Sequence, residues 1–302
     1  MRQLPFARPG RFYRGNLHTH STLSDGRLTP EQVCRLYQQG GYDFIALTDH
    51  FMKQFGWAIA DTTPFRSENF TTLIGAELHA PGITFEYLWH ILAVGLPLDF
   101  APNTEGETGP DLAQRAVAAG AFVAIAHPDW YHLPEADALS LGEVHAVEIF
   151  NGTSVDHNDK PGGWSLLDVL LARGHHYTAL ATDDAHFEPA RADTMLGWVM
   201  VKAEELSPEA LLAALKAGYF YSSTGPEIYD LQLTPGDTLT IRCSPAERIF
   251  VVGKGSQATS VYGNGVTSAE IKIDRFKSPY IRVIVRDAFG RRAWTNAIWF
   301  DE

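Results

Sequence analysis

His18 and His20 are the first residues whose types and spacing suggest chemistry. They stand in NLHTHSTLSD, residues 16–25, and Asp25 follows His20 by five residues. Alternate residues of a strand share one face and lie about 6.6 Å apart, so both imidazoles can lean onto one metal ion. Two histidines on an ordinary polar strand end are the plain alternative, and the rest of the chain has to decide between the two interpretations.

Further imidazoles and carboxylates close the later apolar stretches. His50 ends DFIALTDH, Glu77 lies in TTLIGAEL, His127 follows AFVAIA, and Asp184 and His186 follow YTALAT. Functional groups gather at the carboxyl ends of strands in parallel α/β folds, so we expect these side chains to meet. The nine predicted metal ligands are His18, His20, Asp25, His50, Glu77, His90, His127, Asp184 and His186.

Nine donors are too many for one ion. They suit two or three divalent ions of Zn, Mn or Fe, with water in the open positions. Ions about 3.5–4 Å apart favour hydrolysis, because one generates hydroxide while both hold the substrate oxygens. Three divalent ions also outweigh three ligand carboxylates in charge, so the pocket is expected to be cationic.

The elements that position these residues alternate along the chain. Between residues 12 and 220, apolar runs such as AVEIFNG alternate with helix-like segments such as TPEQVCRLYQQGG, which begins with Thr-Pro and ends in Gly. This predicts a mostly parallel α/β architecture. Residues 71–96, TTLIGAELHAPGITFEYLWHILAVGL, predict two strands joined by a short Pro-Gly turn, an antiparallel hairpin inside the parallel pattern.

The pattern changes after about residue 225. DTLTIRCS, RIFVVGKG and YIRVIVRDAFG alternate apolar and polar residues, with turn residues between them and no helical stretch. This is typical of a small antiparallel β unit. We therefore predict a metallohydrolase domain over residues 1–225 and a C-terminal antiparallel β domain over residues 226–302.

Composition limits the classes of partner. The formal charge of −12 over 302 residues argues against a nucleic-acid-binding surface. Two cysteines, Cys34 and Cys243, exclude a disulfide framework and a cysteine-rich zinc module. No run of 18 apolar residues and no signal-like start occurs, so we expect a soluble, cytoplasmic protein with no membrane partner. Its oligomeric state is not readable from the sequence.

Five ordered motifs carry a family resemblance. HTHSTLSDG, LTDH, GAE, AHP and DDAH resemble the successive motifs of the PHP (polymerase and histidinol phosphatase) superfamily of metal-dependent phosphoesterases, over roughly residues 12–225. The resemblance implies a distorted seven-stranded β/α barrel with a trinuclear metal site. The tail, from GYFYSSTGPEI to NAIWF, resembles that of the carbaryl-hydrolase-like branch, in which a β unit follows the barrel.

The resemblance also implies how the ligands divide among the ions. The ligands of the first ion would be His18, His20, Glu77 and Asp184. Asp25, His50 and His186 would bind the second ion or bridge to it. Glu77 would bridge to a third ion held by His90 and His127. The family motif SDAH reads DDAH here, which leaves the role of Asp183 open.

Other polar residues are candidates for catalysis or substrate binding. Asp49 and His186 are the predicted catalytic residues; Asp49 either orients a metal-bound imidazole or caps a turn. Predicted substrate contacts, each with an ordinary surface or rim role as the alternative, are Arg191, Glu148, Asn151 and Trp130. Histidines expected to be surface or core residues rather than ligands are His79, His132, His145, His157, His175 and His176.

The leading functional hypothesis is a phosphoesterase in which a metal-bridging hydroxide attacks a small-molecule phosphate ester. No G-x-S-x-G nucleophile motif competes with the metal pattern. The alternative enzyme is a carbamate or carboxylic ester hydrolase on the same metals. A scaffold with a structural metal is a third hypothesis, but about three donors per ion leave open positions that structural zinc sites lack.

Overall fold

The computed structural model describes residues 4–234 and 236–300. In the first part of the chain, residues 11–223, strands alternate with helices. The helices are Pro30–Gln39 (α1), Gly109–Ala118 (α2), Glu135–Ser140 (α3), Gly152–His157 (α4), Trp164–Ala172 (α5) and Pro208–Lys216 (α6). The strands of this part are Arg11–Asn16 (β1), Phe44–Leu47 (β2), His50–Phe51 (β3), Thr71–Leu78 (β4), Ile91–Val94 (β5), Phe122–Ile125 (β6), Ala146–Asn151 (β7), Thr178–Thr182 (β8), Trp198–Ala203 (β9) and Phe220–Ser223 (β10).

Local sequence explains why α1 begins and ends where it does. Thr29 accepts from the backbone N–H of Gln32, the Gln32 side chain accepts from the N–H of Thr29, and Pro30 occupies the first turn. Val33, Cys34 and Tyr37 form its buried face and pack in a cluster with strand residues of the core. The helix predicted from TPEQVCRLYQQGG is confirmed.

Parallel pairing dominates the centre of the sheet. β1, β2 and β4 run parallel to one another, as do β6, β7 and β8. β5 lies between these two groups and is antiparallel to both β4 and β6. The predicted hairpin is therefore present, but residues 79–90 connect its strands, a much longer link than the short turn expected. Because β5 is reversed, its amino end lies beside the carboxyl ends of its neighbours.

The end of β8 returns to the end of β1. The N–H of Asp184 donates to the carbonyl of His18 at 2.8 Å, and the N–H of His20 donates to the carbonyl of Ala185 at 2.9 Å. These bonds bring the HTH and DDAH motifs together. The closed seven-stranded barrel stays a prediction, since strand pairing among the described residues forms one continuous sheet path that ends at β8.

The later strands are antiparallel. They are Ile228–Thr234 (β11), Thr238–Gly253 (β12), Ala258–Lys272 (β13), Tyr280–Arg286 (β14), Arg292–Thr295 (β15) and Ile298–Trp299 (β16). DTLTIRCS and RIFVVGKG, predicted as two strands, fall in the single strand β12 except for their outermost residues. β15 pairs with β10, so this region continues the sheet of the first part. The division at residue 225 stays a prediction.

The fold is thus a mixed α/β fold with a parallel core and a later antiparallel β region. Apolar side chains from both faces of the strands form its buried clusters. Within residues 4–234 and 236–300, no helix has the length and apolar character needed to cross a membrane.

Candidate metal centre

The centre lies where the carboxyl ends of the parallel strands meet. His18 and His20 follow β1, His127 follows β6, and Asp184 and His186 follow β8. Strands β3 and β4 supply His50 and Glu77, and His90 directly precedes the reversed strand β5. The long link before β5 and its reversed direction therefore explain how His90 reaches the same place as residues at the opposite ends of their strands.

Glu77 stands at the middle of the centre and is fully buried. Its Oε2 atom lies 2.6 Å from Nδ1 of His50 and 3.7 Å from Nε2 of His18. Its Oε1 atom lies 2.8 Å from Nδ1 of His90 and 3.2 Å from Nε2 of His127. One carboxylate thus has imidazoles near both oxygens and belongs to more than one group of possible metal donors.

Asp184 is a second carboxylate that lies close to two imidazoles. Its Oδ1 atom lies 2.8 Å from Nε2 of His20 and 3.2 Å from Nε2 of His18. Its backbone has a φ of 55°, and that of His127 has a φ of 23°. Positive φ is strained for residues with a side chain and collects at functional sites. Both residues with this unusual backbone conformation have their side chains in the centre.

Asp25 lies at the more open side of the centre. Its Oδ1 atom is 3.5 Å from Nε2 of His50 and 3.4 Å from Nε2 of His186, and about half of its side chain is exposed. The His20 ring lies between those of His50 and His186, with centroids 4.3 and 4.2 Å away. His20 therefore links this group to the buried one.

The donor atoms fall into overlapping groups within 4.8 Å, each of a size that can hold an ion. One group is His20, Asp25, His50 and His186. Two others that share His18 are His18, His127 and Asp184, and His18, His20 and Glu77. A further group is Glu77, His90 and His127. All nine predicted ligands are brought together in this way; their individual roles as ligands stay predictions.

Burial and charged neighbours shift the pKa values of several groups of the centre. Burial alone would lower the pKa of His18, but Asp184 and Glu148 hold that pKa well above its usual range. Burial would raise the pKa of Glu77, yet the surrounding histidines hold it well below its usual range. Burial also lowers the pKa of His20 and of His90 to about 3. His20 and His90 are therefore neutral beside ionised carboxylates, the state that binds a metal cation, whereas His18 has to release its proton when an ion binds.

Within the described residues, several buried polar atoms of the centre make no hydrogen bond of normal geometry, although some lie close to another polar atom. They are Nε2 of His18, Nδ1 of His20, Nδ1 of His127 and Oε2 of Glu77. Unpartnered polar atoms in a protein interior are rare and costly. The two on His18 and Glu77 face each other across the centre at 3.7 Å. A divalent ion would satisfy them, so the residues present fit a metal.

His79 is a member that the sequence analysis missed. It was expected to be a surface or core residue rather than a ligand, but its Nε2 lies 2.9 Å from Nδ1 of His50 and 3.5 Å from Oε2 of Glu77. Its Nδ1 lies 3.0 Å from the carbonyl oxygen of Trp89. The signal was available, because Glu77 and His79 repeat the alternate spacing of His18 and His20. His79, His50 and Glu77 form one more group able to hold an ion.

Glu148 and Asn151, predicted substrate contacts, are fully buried behind the centre. Oε1 of Glu148 lies 3.0 Å from Nδ1 of His18, and its Oε2 accepts the N–H of His127 at 2.7 Å. The Asn151 amide donates to Glu148 at 2.9 Å and to Asp184 at 3.0 Å. Their bonds orient the imidazoles and the carboxylate, which is the usual work of residues behind metal ligands.

Asp49, predicted as catalytic, is buried and holds a turn. Its carboxylate accepts the N–H of Ser21 at 2.7 Å, the hydroxyl of Ser21 at 2.7 Å and the hydroxyl of Ser24 at 2.6 Å. The turn-cap alternative therefore describes its contacts, which shape the loop that carries Asp25. Asp183, whose role was open, accepts the Tyr37 hydroxyl at 2.6 Å and backbone N–H groups of residues 195–197.

A cleft of about 460 Å³ opens onto the centre. Trp130 and Arg191, predicted substrate contacts, both line it. The Trp130 ring stacks on His157 with centroids 4.4 Å apart, so this expected surface histidine also belongs to the cleft wall. Arg27 lies at the same cleft but is paired with Glu188 at 2.7 Å, whereas no ion pair of Arg191 occurs within residues 4–234 and 236–300.

The remaining histidines lie away from the centre. Nε2 of His132 is 3.0 Å from Nζ of Lys160 at the surface. Nδ1 of His145 accepts the N–H of Val123 at 3.1 Å. His175 and His176 are exposed, as expected.

Fold and site together define a mixed α/β protein with a buried carboxylate–imidazole centre that can hold divalent metal. No protein-family model matches the chain, and no curated protein matches it. Among solved structures, the chain is similar to a two-domain protein from Bacteroides vulgatus that contains a predicted PHP-like metal-dependent phosphoesterase. The identity is 15% and the TM-score 0.52, over 99% of each chain.

Two further solved structures are similar over a smaller part. One is a predicted metal-dependent phosphoesterase from Bifidobacterium adolescentis, with 15% identity and a TM-score of 0.44 over 58% of this chain and 89% of that one. The other is an amidohydrolase from Chromobacterium violaceum with bound sulfate and no metal, with 17% identity and a TM-score of 0.44 over 57% and 87%. At these identities the full-length likeness supports the fold alone.

Proposed function

We propose that this protein is a metal-dependent hydrolase that cleaves a phosphate ester of a small molecule. The single observation that carries the proposal is the ring of imidazoles around the buried Glu77, open on one side to a cleft that Arg191 lines. Bound divalent ions would acidify water and offset the charge that develops on the phosphoryl oxygens. The PHP resemblance of the motifs supports the same reaction class.

The ligands would divide among three ions as the motifs imply. His18, His20, Glu77 and Asp184 would hold the first, and the overlapping donor groups are compatible with this division. Asp25, His50 and His186 would hold the second, at the more exposed side of the centre. His90 and His127 would hold the third with Glu77 as a bridge.

The chain's own residues would bind and orient the ester. The Arg191 guanidinium, which has no carboxylate partner in the described part of the chain, would hold phosphate oxygens at the cleft. The stacked rings of Trp130 and His157 would cover the remainder of the substrate and reduce access of bulk water. Glu148 would keep His18 in one orientation while substrate enters and leaves.

Initial rates on a matched panel test the reaction class. The panel is an aryl phosphomonoester, an aryl phosphodiester and an aryl methylcarbamate, with protein loaded with manganese or zinc and its bound metal measured. Asp184→Asn should lose metal and turnover, while Asp274→Asn, an exposed aspartate, should retain both. Turnover of the carbamate alone would assign the alternative function, and full metal content in Asp184→Asn would contradict the ligand assignment.

A further inference from the structure

A second cavity lies between the first part of the chain and the later antiparallel region. Its volume is about 910 Å³, within the roughly 300–1,000 Å³ typical of small-molecule sites. None of its lining residues lines the metal cleft. We call it the arginine groove, after the four lining arginines Arg14, Arg282, Arg291 and Arg292.

The charge of the groove is opposite to that of the chain. No aspartate or glutamate is among its described lining residues, although the chain has a formal charge of −12. Arg282 is neutralised by Asp168 at 2.8 Å and Arg291 by Asp287 at 2.7 Å. Arg14 and Arg292 have no ion pair within the described residues, so two uncompensated positive charges remain beside the cavity. This arrangement favours an anionic ligand.

Aromatic rings form much of the remaining wall. Trp164 and Trp294 lie with ring centroids 6.2 Å apart, and Phe289 stands at the edge with 85% of its surface exposed. The Cζ atom of Arg14 lies 3.7 Å from the centre of the Trp198 ring and 4.1 Å from that of the Tyr42 ring, so both rings contact this guanidinium. The two tryptophan rings are tilted by 46° to each other and offer apolar surface on which a planar ligand ring can pack.

Two N–H groups of the wall have no acceptor. Nε1 of Trp164 and Nε of Arg14 are buried and make no hydrogen bond within the described part of the chain. Most buried donors in folded proteins have a partner, and an unsatisfied one calls for a group that the protein does not itself supply. A ligand with acceptor oxygens is such a group.

We propose that the arginine groove binds a nucleotide-like ligand, with an aromatic ring against the tryptophans and a phosphate between Arg14 and Arg292. The ligand class follows from the joint presence of unneutralised guanidinium groups and ring-sized apolar walls. This site is separate from the metal centre and does not depend on the hydrolase proposal.

Calorimetric titration of the full chain tests the proposal. Adenosine 5′-monophosphate, adenosine and inorganic phosphate are titrated separately in the presence of a chelator, which removes metal and prevents turnover. Adenosine 5′-monophosphate should bind at least about tenfold more tightly than either part alone, since both the ring and the anion are recognised. Absence of binding by the unmodified protein would overturn the proposal.

Three charge-reversal variants locate the bound nucleotide. Arg292→Glu should weaken binding at least about tenfold, and Arg275→Glu, the same change at an exposed site outside the groove, should leave it unchanged. Arg292 is itself exposed, and thermal unfolding of both variants checks that they fold. Equal affinity of the two variants would overturn the proposal. Loss of binding in Arg191→Glu with normal binding in Arg292→Glu would place the nucleotide in the metal cleft and overturn it as well.

Discussion

Histidines at the two ends of the parallel strands have different bonding partners. At the amino end, His145 precedes β7 and its Nδ1 accepts one backbone N–H, that of Val123. At the carboxyl end, His127 follows β6, and its Nε2 lies 3.2 Å from the carboxylate of Glu77. Both residues stand beside the same pair of strands. The comparison shows that the two imidazoles differ in their neighbours: His145 bonds a backbone N–H and is only partly buried, whereas His127 is buried beside a carboxylate.

The carboxyl end carries an energetic cost that the amino end does not. Asp25, Glu77, Asp184 and Glu148 converge there with the imidazoles, and some of their buried atoms lack partners. Bringing charges out of water costs several kcal/mol per ion unless they are well paired. This part of the molecule is therefore organised for binding a cation rather than for stability, and the following substitutions examine that difference.

The largest effect is expected from Glu77→Gln. The change keeps size but removes the negative charge that several imidazoles face, so bound metal and ester turnover should fall by more than the roughly 10–100-fold typical for loss of an outer partner. Metal analysis and initial rates measure it, and Glu68→Gln, at an exposed position, serves as the control. If Glu77→Gln kept its metal content, the charge of Glu77 would not be needed for cation binding at the carboxyl end of the strands. The distinction between the two strand ends would then fail.

Glu148→Gln should have the next largest effect. Glu148 orients His18 at 3.0 Å and accepts the N–H of His127 without lining the cleft. Its charge loss should lower metal affinity by about 10–100-fold, as measured by titration with a competing chelator. Glu143→Gln, near the amino end of β7 and exposed, should behave as the unmodified protein. Equal affinities in the two variants would assign Glu148 a packing role only.

Asp49→Ala should have a smaller effect, on stability more than on metal. The loop from His20 to Asp25 would lose three hydrogen bonds to a charged acceptor. Such bonds contribute about 1.5–3 kcal/mol each at most, and the loss should appear as a lower free energy of unfolding in urea. Asp99→Ala, at an exposed position, is the control. A variant as stable as the control would show that other contacts hold this loop.

The sequence was sufficient to predict where the strands end and which side chains stand there. The strand predicted in TTLIGAEL matches β4, and the predicted ligands on separate strands are brought within a few ångströms of one another. Spacing and strand direction are local properties, so they can be read from the residues. The hairpin that carries His90 followed from the same patterns.

Contacts between distant segments could not be read in this way. His79 shares its strand face with Glu77, but only the fold places it beside His50. Glu148 looked like a substrate contact because it is polar at a strand end, whereas packing of β6 and β8 against β7 buries it. The arginine groove likewise arises from segments far apart in the chain, and no single stretch of sequence indicates it.

The smallest effect is expected at the amino end, from His145→Asn. Burial lowers the pKa of His145 in the folded protein, so the unfolded chain takes up a proton at a higher pH than the folded one. Its contribution to stability is present above the unfolded pKa of about 6.5 and is lost as the pH falls below that value.

Asparagine keeps an acceptor for the N–H of Val123 but does not titrate. The variant should therefore lose less free energy of unfolding than the unmodified protein between about pH 7.5 and about pH 5.5. Groups of the metal centre contribute equally to both proteins and cancel in this difference. His175→Asn, at an exposed position of the same end, should follow the unmodified protein. If the free energy of unfolding depended on pH in the same way in His145→Asn and in the unmodified protein, titration of this imidazole would not be coupled to folding. The proposed structural role of His145 at the amino end would then be contradicted.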